Sequence, residues 1–244
     1  MPPRHSELLG SAVLRPLAEQ LLAAVRIRNG DVVCDLMCDG GVLSAELAPA
    51  VGVAGTLVAV DVERSLAESV AARHERACKV FPVLSDGRSI ALEDASCDAV
   101  VSLVSLAVAD SMSLLRDAIR VLKPGGVVAV LVWDPSALPP HEVLLARALD
   151  ESGLSSALLQ RLLTPVQPPP PARAERVRDV ARLQTFTHLW AAVRDRVEDA
   201  GLDSVAASRR ESVRRRYEEL MRRYAVADGT LVVPSTALLI RLSR

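Results

Sequence analysis

Short apolar runs alternate with helical stretches between residues 31 and 134, and this alternation constrains the fold more than any other feature of the chain. The runs fall at 31–36, 56–62, 80–84, 98–104 and 127–133. The last is apolar at every position from Val127 to Trp133, as a strand buried on both faces must be. Helical stretches at 41–51, 63–77 and 112–122 separate them. Another precedes them at 11–26, with Val13, Leu14, Leu17, Leu21 and Val25 at helical spacing. This order predicts an α/β fold, a doubly wound parallel sheet with helices on both faces.

The pattern changes after Trp133. Pro135, Pro139 and Pro140 break the chain, and helical stretches follow near 141–151 and 154–163. Pro165 and the four prolines from Pro168 to Pro171 favour an extended spacer. Residues 173–200 read as a helix capped by Gly201, 202–208 as a strand and 209–224 as a charged helix. Two terminal strands are expected at 231–233 and 237–242. Three regions result: a core at 1–134 with an N-terminal helical segment, a helical and proline-rich lid at 135–185, and C-terminal helices and strands at 186–244.

Charge and rings follow the same division. Up to Asp134 there are 12 basic and 17 acidic residues, net −5; the rest has 17 and 13, net +4. The chain has two Trp, two Tyr and two Phe, too few for a base-stacking platform, so no nucleic-acid partner is expected. Trp133, Phe186, Trp190, Tyr217 and Tyr224 lie at or after the end of the core region and mark the expected substrate side. No apolar run is long enough to span a membrane, and no secretory leader is expected. The four cysteines form no C-x-x-C pair, so no metal site is expected, and buried thiols in a reducing cytoplasm fit them.

Ligands of open parallel sheets bind at the carboxyl ends of strands, which points to four places here. The first is the turn Met37-Cys38-Asp39-Gly40-Gly41 after Asp35 and Leu36, where a ligand can approach the backbone and a helix N-terminus. A plain strand–turn–helix explains it equally. The second is Asp61, followed by Val62: it either accepts from ribose hydroxyls or caps the next helix. The third is Asp86-Gly87, which either meets an adenine amino group or makes a turn. The fourth is the end of the run at 98–104, with Ser102 and Leu103.

The stretches Glu93-Asp94-Ala95-Ser96-Cys97-Asp98-Ala99-Val100 and Arg120-Val121-Leu122-Lys123-Pro124-Gly125-Gly126, in order with the first three places, resemble the small-molecule class I S-adenosylmethionine-dependent methyltransferases. The resemblance covers about residues 12–134 and, more weakly, about the last 60. It implies a mostly parallel seven-stranded Rossmann-like sheet with S-adenosylmethionine as cofactor. The family turn reads D-x-G-x-G-x-G and wraps the methionine part of the cofactor. Asp35 matches its acid and Gly41 its last glycine, with Cys38 and Gly40 between. Asp61 and Val62 then fall at the ribose, Asp86 and Gly87 at the adenine, and Ser102 and Leu103 beside the sulfonium. Residues 120–126 match a structural turn.

Two residues depart from the pattern. Met37 stands at the first glycine and Asp39 at the second. Asp39 tolerates left-handed geometry, but its charge either opposes the cofactor carboxylate or faces its cationic groups. The resemblance implies methyl transfer to a small molecule of natural-product or quinone-like type. The alternatives are a methyltransferase-like protein that binds another ligand or catalyses a cyclisation or rearrangement, and a non-catalytic partner subunit. No catalytic base is evident; His141 and His188 are the candidates within the variable half. The arginine-rich helix at 209–224 is read as a packed amphipathic helix, a homodimer contact, or a lid for an anionic substrate.

Overall fold

A five-residue strand, β1 (Val32–Leu36), is the axis of the fold in the computed structural model, which describes residues 14–103, 111–154, 173–199 and 206–244. On one side it pairs in parallel with β2 (Thr56–Asp61), and β2 with β3 (Lys79–Leu84). On the other side come β4 (Cys97–Leu103) and β5 (Leu122–Trp133), also parallel. β7 (Leu231–Ser243) runs antiparallel to β5, and β6 (Arg173–Leu183) antiparallel to β7. The seven strands stand in the order β3-β2-β1-β4-β5-β7-β6. The strand order reverses between β1 and β4, which opens a crevice at their carboxyl ends.

Seven helices pack on this sheet among the described residues: α1 (Arg15–Ala24), α2 (Val42–Val51), α3 (Arg64–His74), α4 (Ser111–Val121), α5 (Pro140–Glu151), α6 (Phe186–Asp199) and α7 (Ala207–Met221). Right-handed crossovers put α2 and α3 on one face; the reversal of direction puts α4 on the other. The first face is much the larger, with Leu17, Leu47, Val70, Leu145, Leu189 and Tyr217 over Val33, Val101 and Leu131 in one apolar layer. The opposite layer joins Leu114, Leu115 and Ala118 of α4 to Cys34, Val100 and Val130.

Residues 120–126, expected as a turn, are the end of α4 and the start of β5, and they tie neighbouring segments together. Arg120 donates to the carbonyls of Ile90 and Leu92, both 2.9 Å away, and to Asp94 and Asp117. Lys123 meets Asp98 at 2.7 Å, and Asp98 also takes the Val32 amide at the start of β1. The free edge of β3 is blunted. The amides of Lys79 and Ser85 donate to β2 and the residue linking into it, so position 82 faces outward, where proline has no N–H.

Three expectations fail in the C-terminal half. Residues 173–183 form the edge strand β6 rather than part of a helix, and so belong to the sheet and not to a helical lid. Val177 and Ala181 have helical spacing, but both are buried against β7, and the sheet overrides local propensity. Residues 207 and 208 open α7 instead of ending a strand. The two terminal strands are one, with Pro234 at a point where β7 is paired only with β6. The helix expected over 154–163 falls outside the described residues from 155 on, as do the prolines at 165–171, Gly201 and Val104.

The rings of this half hold helices together. Tyr217 is fully buried on α7, 5.5 Å from the ring of Phe186 and 6.3 Å from that of Trp190. The stripe Val213, Tyr217 and Met221 is the packed face that sequence predicts for an amphipathic helix. The arginines behind it face carboxylates: Arg214 meets Glu211 and Glu218, and Arg216 meets Glu151 and Glu219.

Candidate cofactor site

The turn after β1 has the backbone of a glycine loop without the first two of its glycines. Met37, Asp39 and Gly41 have φ of 57°, 46° and 77°. A left-handed non-glycine residue costs about 1–2 kcal/mol, so the surroundings must over-determine the turn. They do so with four hydrogen bonds. The Cys38 amide donates to the Val60 carbonyl at 3.0 Å and that of Gly41 to the Cys38 carbonyl at 2.8 Å. The Asp39 amide donates to Asp61 Oδ2 at 2.9 Å, and Arg73 of α3 donates from Nη2 to the Gly40 carbonyl at 2.8 Å. The Met37 side chain is buried in the apolar layer of Leu36, Val58 and Val60.

Asp35 lies fully buried in β1 at the mouth of this turn. One oxygen takes the Ser44 hydroxyl at 2.5 Å; the other has no hydrogen-bond partner. Burial pushes the carboxyl up to about 7 against the pull of Ser44, and the charges of Asp61 and Asp39 add to the rise. Helix α2 begins at Val42 with no side-chain cap, so its first amides and its positive end face the same crevice. An unsatisfied carboxylate oxygen beside bare helix amides suits the ammonium and carboxylate ends of an α-amino acid. The methionine part of S-adenosylmethionine is such a group. Burial and the neighbouring Asp35 push the Cys38 thiol up, so it stays protonated.

Asp61 holds the turn rather than capping the next helix. It is almost fully buried, with Oδ1 taking the Glu63 amide at 3.0 Å and Oδ2 that of Asp39. Val62 beside it is half exposed. Asp86 is exposed and accepts the amides of Arg88 and Ser89 and the Ser89 hydroxyl on one oxygen. Gly87 is buried at φ 78°, its amide on the Ser85 hydroxyl. The Ser85 amide donates to the Asp61 carbonyl at 2.8 Å and joins the ends of β2 and β3.

A cleft of about 20 Å³ lies among Leu14, Asp35, Met37, Asp39, Val42 and Leu103, room for about one water. Ser102 is buried with its hydroxyl lacking a partner, on the strand neighbouring Asp35. His141 is also buried, on α5 against the Trp133 ring, with Nε2 3.7 Å from Glu142. His188 is exposed on α6 and bonds to Thr185. The structure thus gathers Asp35, the 37–41 turn, Asp61 and Leu103, and leaves His188 on the surface of α6. A wider, shallow depression between the C-terminal end of α5 and the start of α7, lined by Glu151, Arg209, Ser212 and Arg216, contains none of these residues. Sequence reasoning missed Ser44 and Arg73. Ser44 carried a signal, since it stands in the first turn of the helix that follows the Asp35 strand.

Fold and turn together define a Rossmann-like α/β protein with a candidate cofactor site at the carboxyl end of its first strand. Residues 33–126 match the profile of a family described as a methyltransferase domain. That part of the chain is similar to class I S-adenosylmethionine-dependent methyltransferases. It is similar to an uncharacterized 37.1 kDa protein of a Streptomyces fradiae transposon, 31% identical over 145 residues, 58% of this chain and 42% of that protein. It is also similar to the demethylmenaquinone methyltransferase of Staphylococcus aureus, 28% identical over 129 residues, 52% of this chain and 54% of that one. The chain spans about half the length of these curated relatives. A putative methyltransferase from Bacillus halodurans shares the fold, with a TM-score of 0.54 at 15% identity over 92% of this chain and 96% of its own.

Proposed function

We propose that the protein transfers a methyl group from S-adenosylmethionine to a small-molecule acceptor. The observation that carries this reading is the open oxygen of buried Asp35 facing the uncapped start of α2 inside a methyltransferase domain. When bound, the cofactor supplies an electrophilic methyl group. Asp35 accepts its ammonium, the first amides of α2 take its carboxylate, and Asp61 holds the turn at the ribose. Asp86 and Gly87 stand at the adenine, and the backbone of Ser102 and Leu103 borders the reacting centre. Such a displacement depends mostly on proximity and alignment, which a rigid turn on a buried sheet provides.

The acceptor is a metabolite of natural-product or quinone-like type, a class to which the substrate named for the Staphylococcus aureus relative belongs. The protein works in the cytoplasm, where four buried free cysteines stay reduced. No described helix is long and apolar enough to cross a membrane. The preserved left-handed turn favours methyl transfer over a relative that has lost its cofactor, because Met37 and Asp39 leave the loop shape intact. Calorimetric titration with S-adenosylmethionine tests the reading. Micromolar binding is expected; no heat and no thermal shift at millimolar ligand would overturn it.

A further inference from the structure

The turn carries a carboxylate where the family pattern has a glycine, and a cation is seated on it from α3. Asp39 is exposed at the rim, next to Gly40. Arg73, near the C-terminal end of α3, reaches across 33 positions of sequence to the Gly40 carbonyl and is braced by its Nε on the Ser69 carbonyl at 3.2 Å. A Cβ placed on Gly41 would stand 2.9 Å from Arg73 Nη2. The guanidinium therefore rests on the turn itself, in the room left by the one family glycine this chain retains. Without a cation there, Asp39 would be a third carboxylate beside Asp35 and Asp61, at the place where the cofactor carboxylate must enter.

We propose that Arg73 is the positioning residue of the cofactor turn, pairing with the Asp39 carboxylate while it holds the Gly40 carbonyl. The pair answers the acquired charge from α3 and keeps the turn left-handed without glycine at 37 and 39. Asp61 grips the Asp39 amide from β2, and Arg73 grips the far side of the same residue. The turn is thereby shaped by two charged side chains rather than by backbone freedom. This inference rests on reading the turn as the S-adenosylmethionine site.

The test is a double-mutant cycle on the full chain with R73Q, R73K, D39G and R73Q/D39G. Calorimetry gives the Kd of S-adenosylmethionine and S-adenosylhomocysteine, and exchange of the Gly41 amide reports the turn without ligand. R73Q is expected to weaken both ligands about tenfold in the natural background and at most about twofold with D39G. R73K, which keeps the charge, recovers most of the loss. Gly41 exchange rises about tenfold in R73Q and returns in R73K. Equal weakening in both backgrounds, or unchanged Gly41 exchange, overturns the role given to Arg73. If the natural protein binds neither ligand, the methyltransferase reading falls, and the exchange series alone decides Arg73.

Discussion

Two buried aspartates stand at the carboxyl ends of neighbouring strands and do opposite work. Asp61, at the end of β2, has a backbone amide on each oxygen, so the fold already engages both. Asp35, near the end of β1, has one oxygen on Ser44 and one on nothing. A carboxylate with fixed amide donors stabilises the chain around it, whereas a buried carboxylate with an open lone pair is held ready at a cost to stability. The contrast teaches that two acids at like strand ends differ in what the fold has already bonded to them.

Asp35→Asn carries the largest expected effect. The carboxyl ionises near 3.8 in the unfolded chain and near 7 in the folded one, so the folded form holds its proton longer. Stability is therefore lost as pH rises from about 4 to 7, and above 7 the cost is about 4 kcal/mol. Asp35→Asn should raise the melting temperature more at pH 8 than at pH 5, while cofactor affinity drops about 10- to 100-fold. A stability gap that does not widen with pH would break the comparison at its first term. Asp61→Asn should move stability the other way, by about 1–3 kcal/mol in urea unfolding, because one of the two amides loses its acceptor. If the two substitutions shift stability in the same direction, the aspartates are not opposites.

Smaller effects sharpen the picture of the turn between them. Gly41→Ala is expected to cost about 1–2 kcal/mol, from its left-handed φ and the close approach of Val70 and Arg73. Its loss of cofactor affinity in calorimetry should exceed what the stability change explains. Asp39→Gly relieves a left-handed residue at an exposed position and should change stability by less than about 1 kcal/mol, read from the urea midpoint.

Much of the first half of the fold was legible because its signals are local and agree with one another. Leu57–Val60 of β2 and Val128–Trp133 of β5 are continuous apolar runs, and burial on both faces demands that composition. The second half was less legible. The segment Arg173–Leu183 alternates charge and small apolar residues in a way a helix also accepts, and only its pairing with β7 makes it a strand. The candidate site divides similarly. Asp35 and the 37–41 turn were placed by motif and spacing, but the bond by which Asp61 clamps the turn is long in sequence, 22 positions from Asp39. Arg73 lies 33 positions from the carbonyl it holds, with no periodic signal to announce it.

The sequence by itself determined the alternating α/β order, the strands that must be buried, and the acids that fall at strand ends. Those properties follow from side-chain polarity and spacing along one chain. The tertiary structure decided which acid keeps an open oxygen, how Met37 and Asp39 hold a glycine conformation, and where the rings go. Each of those outcomes depends on a backbone amide, carbonyl or apolar face brought up from a distant segment. Sequence patterns record which residues can bury or bond; only packing fixes which bonds are already taken.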